Sequence, residues 1–433
     1  MIYQRILYQS FLWRGLYFAS TFLLNILFAR YYQAAESGWI FFITNFYAFT
    51  LLVAGLSLES GMGYYVSKKE IATSKLLNVS IVWSFVVGTL VLMFFYLFIS
   101  GQQSKYPKVL FLVSSLSYVC GILLTNYCSG LFYGNKNFLT PNIICTVCNL
   151  LLMLFIVLAF NFPSQIFNAH NYIVLYFVTF LAQGFFLVVA TKVSYSPSWK
   201  PQFPSVKELR KLLQYSLTAF VSNVIFFLVY RGDYWFVKAF CSSVDLGNYV
   251  QVAKLGQVLI TIPSILASAV FALTAGGLKA EVNEGLQVLS RALLLTSGLF
   301  CFVLALTGKW LFPFIFGASF NHMYMPFLLL IPGILSISAL YPLAAYYSGK
   351  NMMRVNIVGS LIALSFIIIA DFIFIPLFGI EAAALVSSLG YMSNYIYELL
   401  FYKREYKTSI TGFFIVRKSD FTLIKNFISK TAR

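Results

Sequence analysis

VNIVGSLIALSFIIIADFIFIPLF, running from Val355 to Phe378, holds one charged residue in 24, Asp371. A helix rises 1.5 Å per residue, so about 20 apolar residues cross the ~30 Å hydrocarbon layer of a bilayer. This stretch is long enough to cross, and its composition favours lipid over water. The same reading extends outward along the chain. Of the 433 residues, 60% are hydrophobic and only 10% are charged. A soluble globule could not cover that much hydrocarbon, so the class is an all-α integral membrane protein. The apolar runs are too long for the ~10-residue alternating strands of an outer-membrane barrel.

Twelve transmembrane helices are predicted: Tyr8–Ala29, Trp39–Ser60, Leu77–Ile99, Val109–Phe132, Leu139–Phe160, Tyr172–Val193, Leu212–Val237, Leu246–Phe271, Leu286–Thr307, Met323–Tyr346, Val355–Phe378 and Ile380–Phe401. The tenth is interrupted by Pro326, Pro332 and Pro342. The first run is too long for a signal-peptide core and lacks a small-residue cleavage site, so it reads as a retained span.

Cytoplasmic loops collect Lys and Arg. Alternate loops, taken from the N-terminus inward, place 22 of the 30 basic residues on one side and five on the other. Three more, Arg14, Arg231 and Lys254, fall inside spans. Both termini are therefore expected in the cytoplasm. The net charge of +17 is then mostly a topology signal. Nucleic-acid binding is excluded, because the positive residues are dispersed over seven segments with no stacking platform. In the tail, Phe421, Ile424, Phe427 and Ile428 recur at helical spacing among Lys425, Lys430 and Arg433. That pattern fits either an amphipathic helix on anionic lipid or a solvated basic tail.

The six cysteines are scattered. Cys145 and Cys148 form a C-x-x-C inside an apolar helix, where small interior residues are the simpler reading. His170 and His322 lie in loops, too few ligands for a metal centre. No metal and no cofactor is expected.

The stretch Ser194–Lys211, with Pro197, Pro201 and Pro204, is the longest polar break. It divides the chain into an N-terminal six-helix bundle (1–193), a cytoplasmic linker (194–211), a C-terminal six-helix bundle (212–401) and a basic tail (402–433). The halves echo each other. Glu36-Ser37-Gly38 is answered by Asp245-Leu246-Gly247, 209 positions on, each soon followed by an aromatic, Trp39 or Tyr249. Lys136-Asn137 and Asn142-Ile143 are answered by Lys350-Asn351 and Asn356-Ile357 at an offset of 214. An even number of spans per copy puts a pseudo-twofold axis along the membrane normal. Two such bundles leave a central cleft that opens to one face and then the other, the geometry of alternating access.

A charge at bilayer depth costs at least ~2.5–3.5 kcal/mol, so it faces away from lipid and is functional by default. Arg14, Arg231 and Lys254 form a cationic ladder across the spans, with Arg291 at the entrance of the ninth. Phosphate or diphosphate is the cargo that suits such a ladder, since Arg grips phosphate oxygens in a fork and Lys adds a point charge. Structural pairing or snorkelling of the long stems is the simpler alternative. Asp233, Asp371 and Glu59 are candidates for proton or cation coupling, or for pairing with Arg231 or Lys254.

Several stretches carry a family resemblance. FARYYQAAESGWIFF (Phe28–Phe42), YRGDYWFVKAFCSSVDLGNYVQVAKLGQVLITIP (Tyr230–Pro263) and FGASFNHMYMPFLLLIPG (Phe316–Gly333) are three of them. A fourth runs from Tyr346 to Tyr391. In order and spacing they resemble the polysaccharide flippases of the multidrug/oligosaccharidyl-lipid/polysaccharide exporter (MOP) superfamily, in particular the O-antigen flippases. The resemblance covers roughly Leu7 to Phe401. It implies a V-shaped fold of two six-helix bundles around a central cavity. It also implies translocation of an undecaprenyl-diphosphate-linked oligosaccharide from the cytoplasmic to the periplasmic leaflet. O-antigen or capsule would be the end product, and a polysaccharide polymerase is a natural partner. A lipid II flippase would have further C-terminal helices. A multidrug antiporter of the same superfamily is the first alternative, though its cationic cargo would want an acidic or neutral cleft. An O-antigen polymerase or glycosyltransferase would need a sizeable outer loop with converging carboxylates, and every predicted outer loop is short.

Overall fold

The computed structural model describes residues 2–98, 108–162, 169–195, 202–275, 280–407 and 409–415. The described chain is helical: α1 (Ile2–Gly55), α2 (Leu58–Ser67), α3 (Thr73–Phe98), α4 (Lys108–Gly134), α5 (Leu139–Asn161), α6 (Ala169–Tyr195), α7 (Val206–Arg231), α8 (Asp233–Phe240), α9 (Ser243–Ala275), α10 (Ala280–Phe316), α11 (Tyr324–Gly349) and α12 (Met353–Tyr406). Two 3-10 turns, Ala318–Met323 and Ile410–Phe413, follow α10 and α12. Part of the predicted linker, 196–201, and the predicted amphipathic stretch Phe421–Ile428 lie outside the described residues.

Among the described residues ten segments are long and apolar enough to cross a membrane, where the sequence predicts twelve. The difference has one cause. Helices α1 and α12 are each 54 residues long, and each swallows two predicted spans together with the turn between them. At 1.5 Å per residue each measures about 80 Å, more than twice the thickness of a hydrocarbon layer. Each is broken at a single residue, Gln33 (φ 59°, ψ 173°) in α1 and Gly379 (φ 62°, ψ −143°) in α12. Glycine adopts such a conformation freely, whereas Gln33 is strained there. Ser319 supports the Gln33 break. Its hydroxyl accepts from Ala34 N–H at 2.9 Å and donates to Gln33 Oε1 at 2.8 Å.

The three prolines do not break the tenth predicted span; α11 runs unbroken with Pro332 and Pro342 inside it. Ser388 of α12 mends the ladder after Pro332. Its hydroxyl accepts from Gly333 N–H at 3.2 Å and donates to the Leu329 carbonyl at 2.6 Å. A hydroxyl from a neighbouring helix is how apolar surroundings tolerate a helix proline.

The chain packs as two compact units. The first comprises Met1–Tyr31 and Ile43–Val224, the second Tyr32–Phe42 and Ile225–Arg433. In the first, α2 meets α4 through glycines. A Cβ on Gly130 would come within 2.8 Å of the Glu59 carbonyl oxygen, and one on Gly134 within 2.8 Å of that of Gly63. This is the small-residue seam by which helices approach closely in lipid. In the second, the two echoed motifs lie directly on one another. A Cβ on Gly38 would come within 2.7 Å of Gly247 Cα, and one on Gly247 would strike the Ala34 carbonyl. Large apolar side chains such as Leu151, Phe185, Leu299, Phe372 and Leu377 stand exposed on the helices, as a lipid-facing surface requires.

Candidate functional site

The first unit contains a cavity of about 640 Å³. Its wall carries Arg14, Glu59, Asn126 and Asn142 beside the tyrosines Tyr64 and Tyr133. Arg14 projects from α1, and its guanidinium carbon sits 4.4 Å from the Tyr133 ring centre and 5.7 Å from that of Phe138. Those two rings stack at 5.2 Å, and the Tyr133 hydroxyl donates to Asn142 Oδ1 at 3.2 Å. The guanidinium is thus held over an aromatic face, where its N–H groups can meet an anion. Glu59 enters the wall from the first turn of α2, after a break in which Leu56 and Ser57 take left-handed backbone angles (φ 52° and 50°). The Gly130 contact described above fixes that turn against α4. Tyr64 and Tyr215 stack face to face at 4.3 Å.

The second unit holds a much smaller void, about 20 Å³, lined by Asp233, Tyr230, Tyr249, Gln257 and Tyr391 among apolar neighbours. That volume admits one water-sized particle. Asp233 opens α8, one residue after α7 ends at Arg231. Its Oδ2 accepts from the Tyr249 hydroxyl and, at 3.0 Å, from the Ser387 hydroxyl, while Oδ1 has no hydrogen-bond partner among the described residues. Asp371 of α12 is fully buried, and neither of its oxygens has a hydrogen-bond partner among the described residues. It lies within electrostatic reach of Asp233. Two like charges cannot both persist in such a place without a bound cation or proton. The arrangement can therefore take up one monovalent cation, H+ or Na+.

The remaining predicted basic residues separate into two kinds. Arg231 ends α7, and its Nη2 donates to Gln257 Oε1 at 3.3 Å, so it borders the small void through a shared glutamine. Lys254 of α9 places Nζ 3.0 Å from the Phe41 ring centre and lies within electrostatic reach of Arg231. These two cations share a neighbourhood in the second unit. Arg291 does not join them. It is 3% exposed, and its Nη1 donates to the Gly412 carbonyl in the 3-10 turn after α12. The structure gives it an anchoring contact and places it in the wall of neither cavity described above.

Sequence reasoning brought Asp233 and Asp371 forward as isolated charges but missed the hydroxyls that hold Asp233. Tyr249 and Ser387 are 16 and 154 residues from Asp233, with no local pattern linking them. Cys145 lines the larger cavity as a free thiol beside the buried, free Cys148.

No family model and no curated protein sequence matches the chain. Solved structures do match its fold. A lipid II flippase, MurJ, in an inward closed conformation superposes with a TM-score of 0.70 at 14% identity, over 95% of this chain and 89% of that one. An inward-facing MATE-family multidrug resistance transporter of the MOP superfamily gives 0.68 at 12% identity, over 91% and 94%. A point mutant of the Vibrio cholerae MATE transporter VcmN gives 0.65 at 12% identity, over 94% and 98%. With ten segments among the described residues long and apolar enough to cross a membrane, the chain is a multi-pass helical membrane protein with the fold of these transporter structures.

Proposed function

We propose that the protein is a lipid-linked oligosaccharide flippase. It moves an undecaprenyl-diphosphate-linked repeat unit of O-antigen or capsule from the cytoplasmic to the periplasmic leaflet of a bacterial inner membrane, by alternating access coupled to H+ or Na+. In this reading α1 and α12 each cross twice, so that ten segments make twelve spans in two six-helix bundles with both termini in the cytoplasm. The observation that carries the proposal is Arg14, held over Tyr133 in a cavity of about 640 Å³. A guanidinium fork meets a diphosphate, and nearby tyrosines and asparagines offer the stacking faces and amide hydrogen bonds that sugars use. Arg231 and Lys254 add positive charge in the second unit, and the Asp233–Asp371 pair supplies the ion site. The fold neighbours are themselves a lipid II flippase and multidrug transporters, which supports transport as the class.

The test is a chromosomal deletion followed by complementation. The deletion strain should lose surface polysaccharide and accumulate cytoplasm-facing lipid-linked sugar. Accumulation on the periplasmic side would instead identify a polymerase defect. Glu59 on the same cavity wall favours a second reading, a multidrug antiporter for cationic drugs. Drug sensitivity in the deletion strain, with surface polysaccharide intact, would select it.

A further inference from the structure

Glu398 belongs to neither cavity. It lies in the second half of α12, 11 residues beyond Ser387, or roughly 16 Å along the helix. It is 1% exposed, and Oε2 has no hydrogen-bond partner among the described residues. Among those residues no lysine, arginine or histidine forms an ion pair with it. The groups that feel its charge are Tyr230 of α7 and Tyr347 of α11. The Tyr347 hydroxyl is already committed, donating to the backbone carbonyl of Glu398 at 2.9 Å. Tyr230 packs its ring 5.4 Å from that of Tyr391 of α12. Tyr391 stands four residues along α12 from Ser387, whose hydroxyl donates to Asp233.

A buried carboxylate with no counter-ion, one of whose oxygens has no donor, is costly to keep ionised, so the neutral, protonated form is favoured. We propose that Glu398 is a proton-binding site, separate from the Asp233–Asp371 pair, loaded in the state described here. It releases its proton only when water reaches the inner part of α12. The step is a simple transfer: the Glu398 O–H bond breaks, water takes the proton, and a carboxylate remains in contact with that water. The inference depends on the burial of Glu398 and not on the nature of the cargo.

Infrared spectra of the full-length protein in detergent, recorded from acid to alkaline pH, test it. The D233N/D371N double variant should retain a protonated-carboxyl carbonyl band at neutral pH. Adding E398Q should remove it, and E398Q alone should take up one proton fewer than wild type on titration. An unchanged band after adding E398Q shows that Glu398 is ionised and overturns the proposal. Should E398Q fail to fold, wild-type membranes treated with dicyclohexylcarbodiimide decide the matter, because this apolar reagent modifies protonated carboxyls. An adduct on the Glu398 peptide supports the site. Adducts on other carboxyls with none on Glu398 overturn it. A wild-type polysaccharide phenotype in a deletion strain would sink the flippase reading and leave this one standing.

Discussion

The cavity beside Arg14 and the void beside Asp233 differ in volume, about 640 against about 20 Å³, and in how they treat charge. The larger one presents a cation on an aromatic plate with open space before it. The smaller one hides an acid behind two hydroxyls and leaves room for a single particle. A wide cavity with a few polar groups suits a bulky anion that must enter and leave. A void the size of one water suits a small cation whose hydration shell the protein replaces. The two sites would then divide the labour, one for cargo and one for the driving ion.

The largest effect should come from Arg14. Arg14→Ala removes a charge-assisted contact worth about 1.5–3 kcal/mol, so cargo affinity should fall roughly 10- to 100-fold. Surface polysaccharide should vanish at unchanged protein level, as read by immunoblot beside glycan staining. Full export by that variant would end the assignment of cargo to the larger cavity.

Asp233→Asn sharpens the contrast from the other side. Cation affinity should drop at least about tenfold while binding of lipid-linked sugar holds. Trp235, two residues away, offers a fluorescence readout for a Na+ or pH titration. Equal losses of ion and cargo binding would mean that the two sites are not distinct.

Tyr64→Ala takes away the face stacked on Tyr215, a contribution of about 0.5–1.5 kcal/mol. Cargo affinity should weaken several-fold with ion binding intact. The smallest change is expected from Gln257→Leu, which removes the Arg231 hydrogen bond at a cost of about 0.5–1.5 kcal/mol. A modest drop in melting temperature should accompany near-normal export. Complete loss of export would make the Arg231–Gln257 contact itself part of the cargo path.

The membrane class was legible because hydrocarbon is counted in the sequence itself; Val355–Phe378 needs no neighbour to be read. Segment ends were less legible. The one-residue gap at Gly379 that divides the last two predicted spans is a kink in a single helix α12, because one glycine at positive φ redirects a helix as well as a loop does. The prolines of α11 read as interruptions for a similar reason. The compensation comes from Ser388, 56 residues after Pro332. Arg14 and Asp371 stood out as charges in apolar runs, whereas the plate under Arg14 required Tyr133 and Phe138 from elsewhere in the chain. Arg291 had the same sequence signature as the others and a different task. Its acceptor lies in a turn 121 residues away.

The crossing of Ala34–Gly38 with Ser243–Gly247 is backbone against backbone, with no side chain interposed. Interlocked knobs would have to be unmeshed before one helix could swivel on the other; two smooth surfaces need not be. The joint lies where two similar motifs meet, and a single methyl at either glycine would wedge it apart.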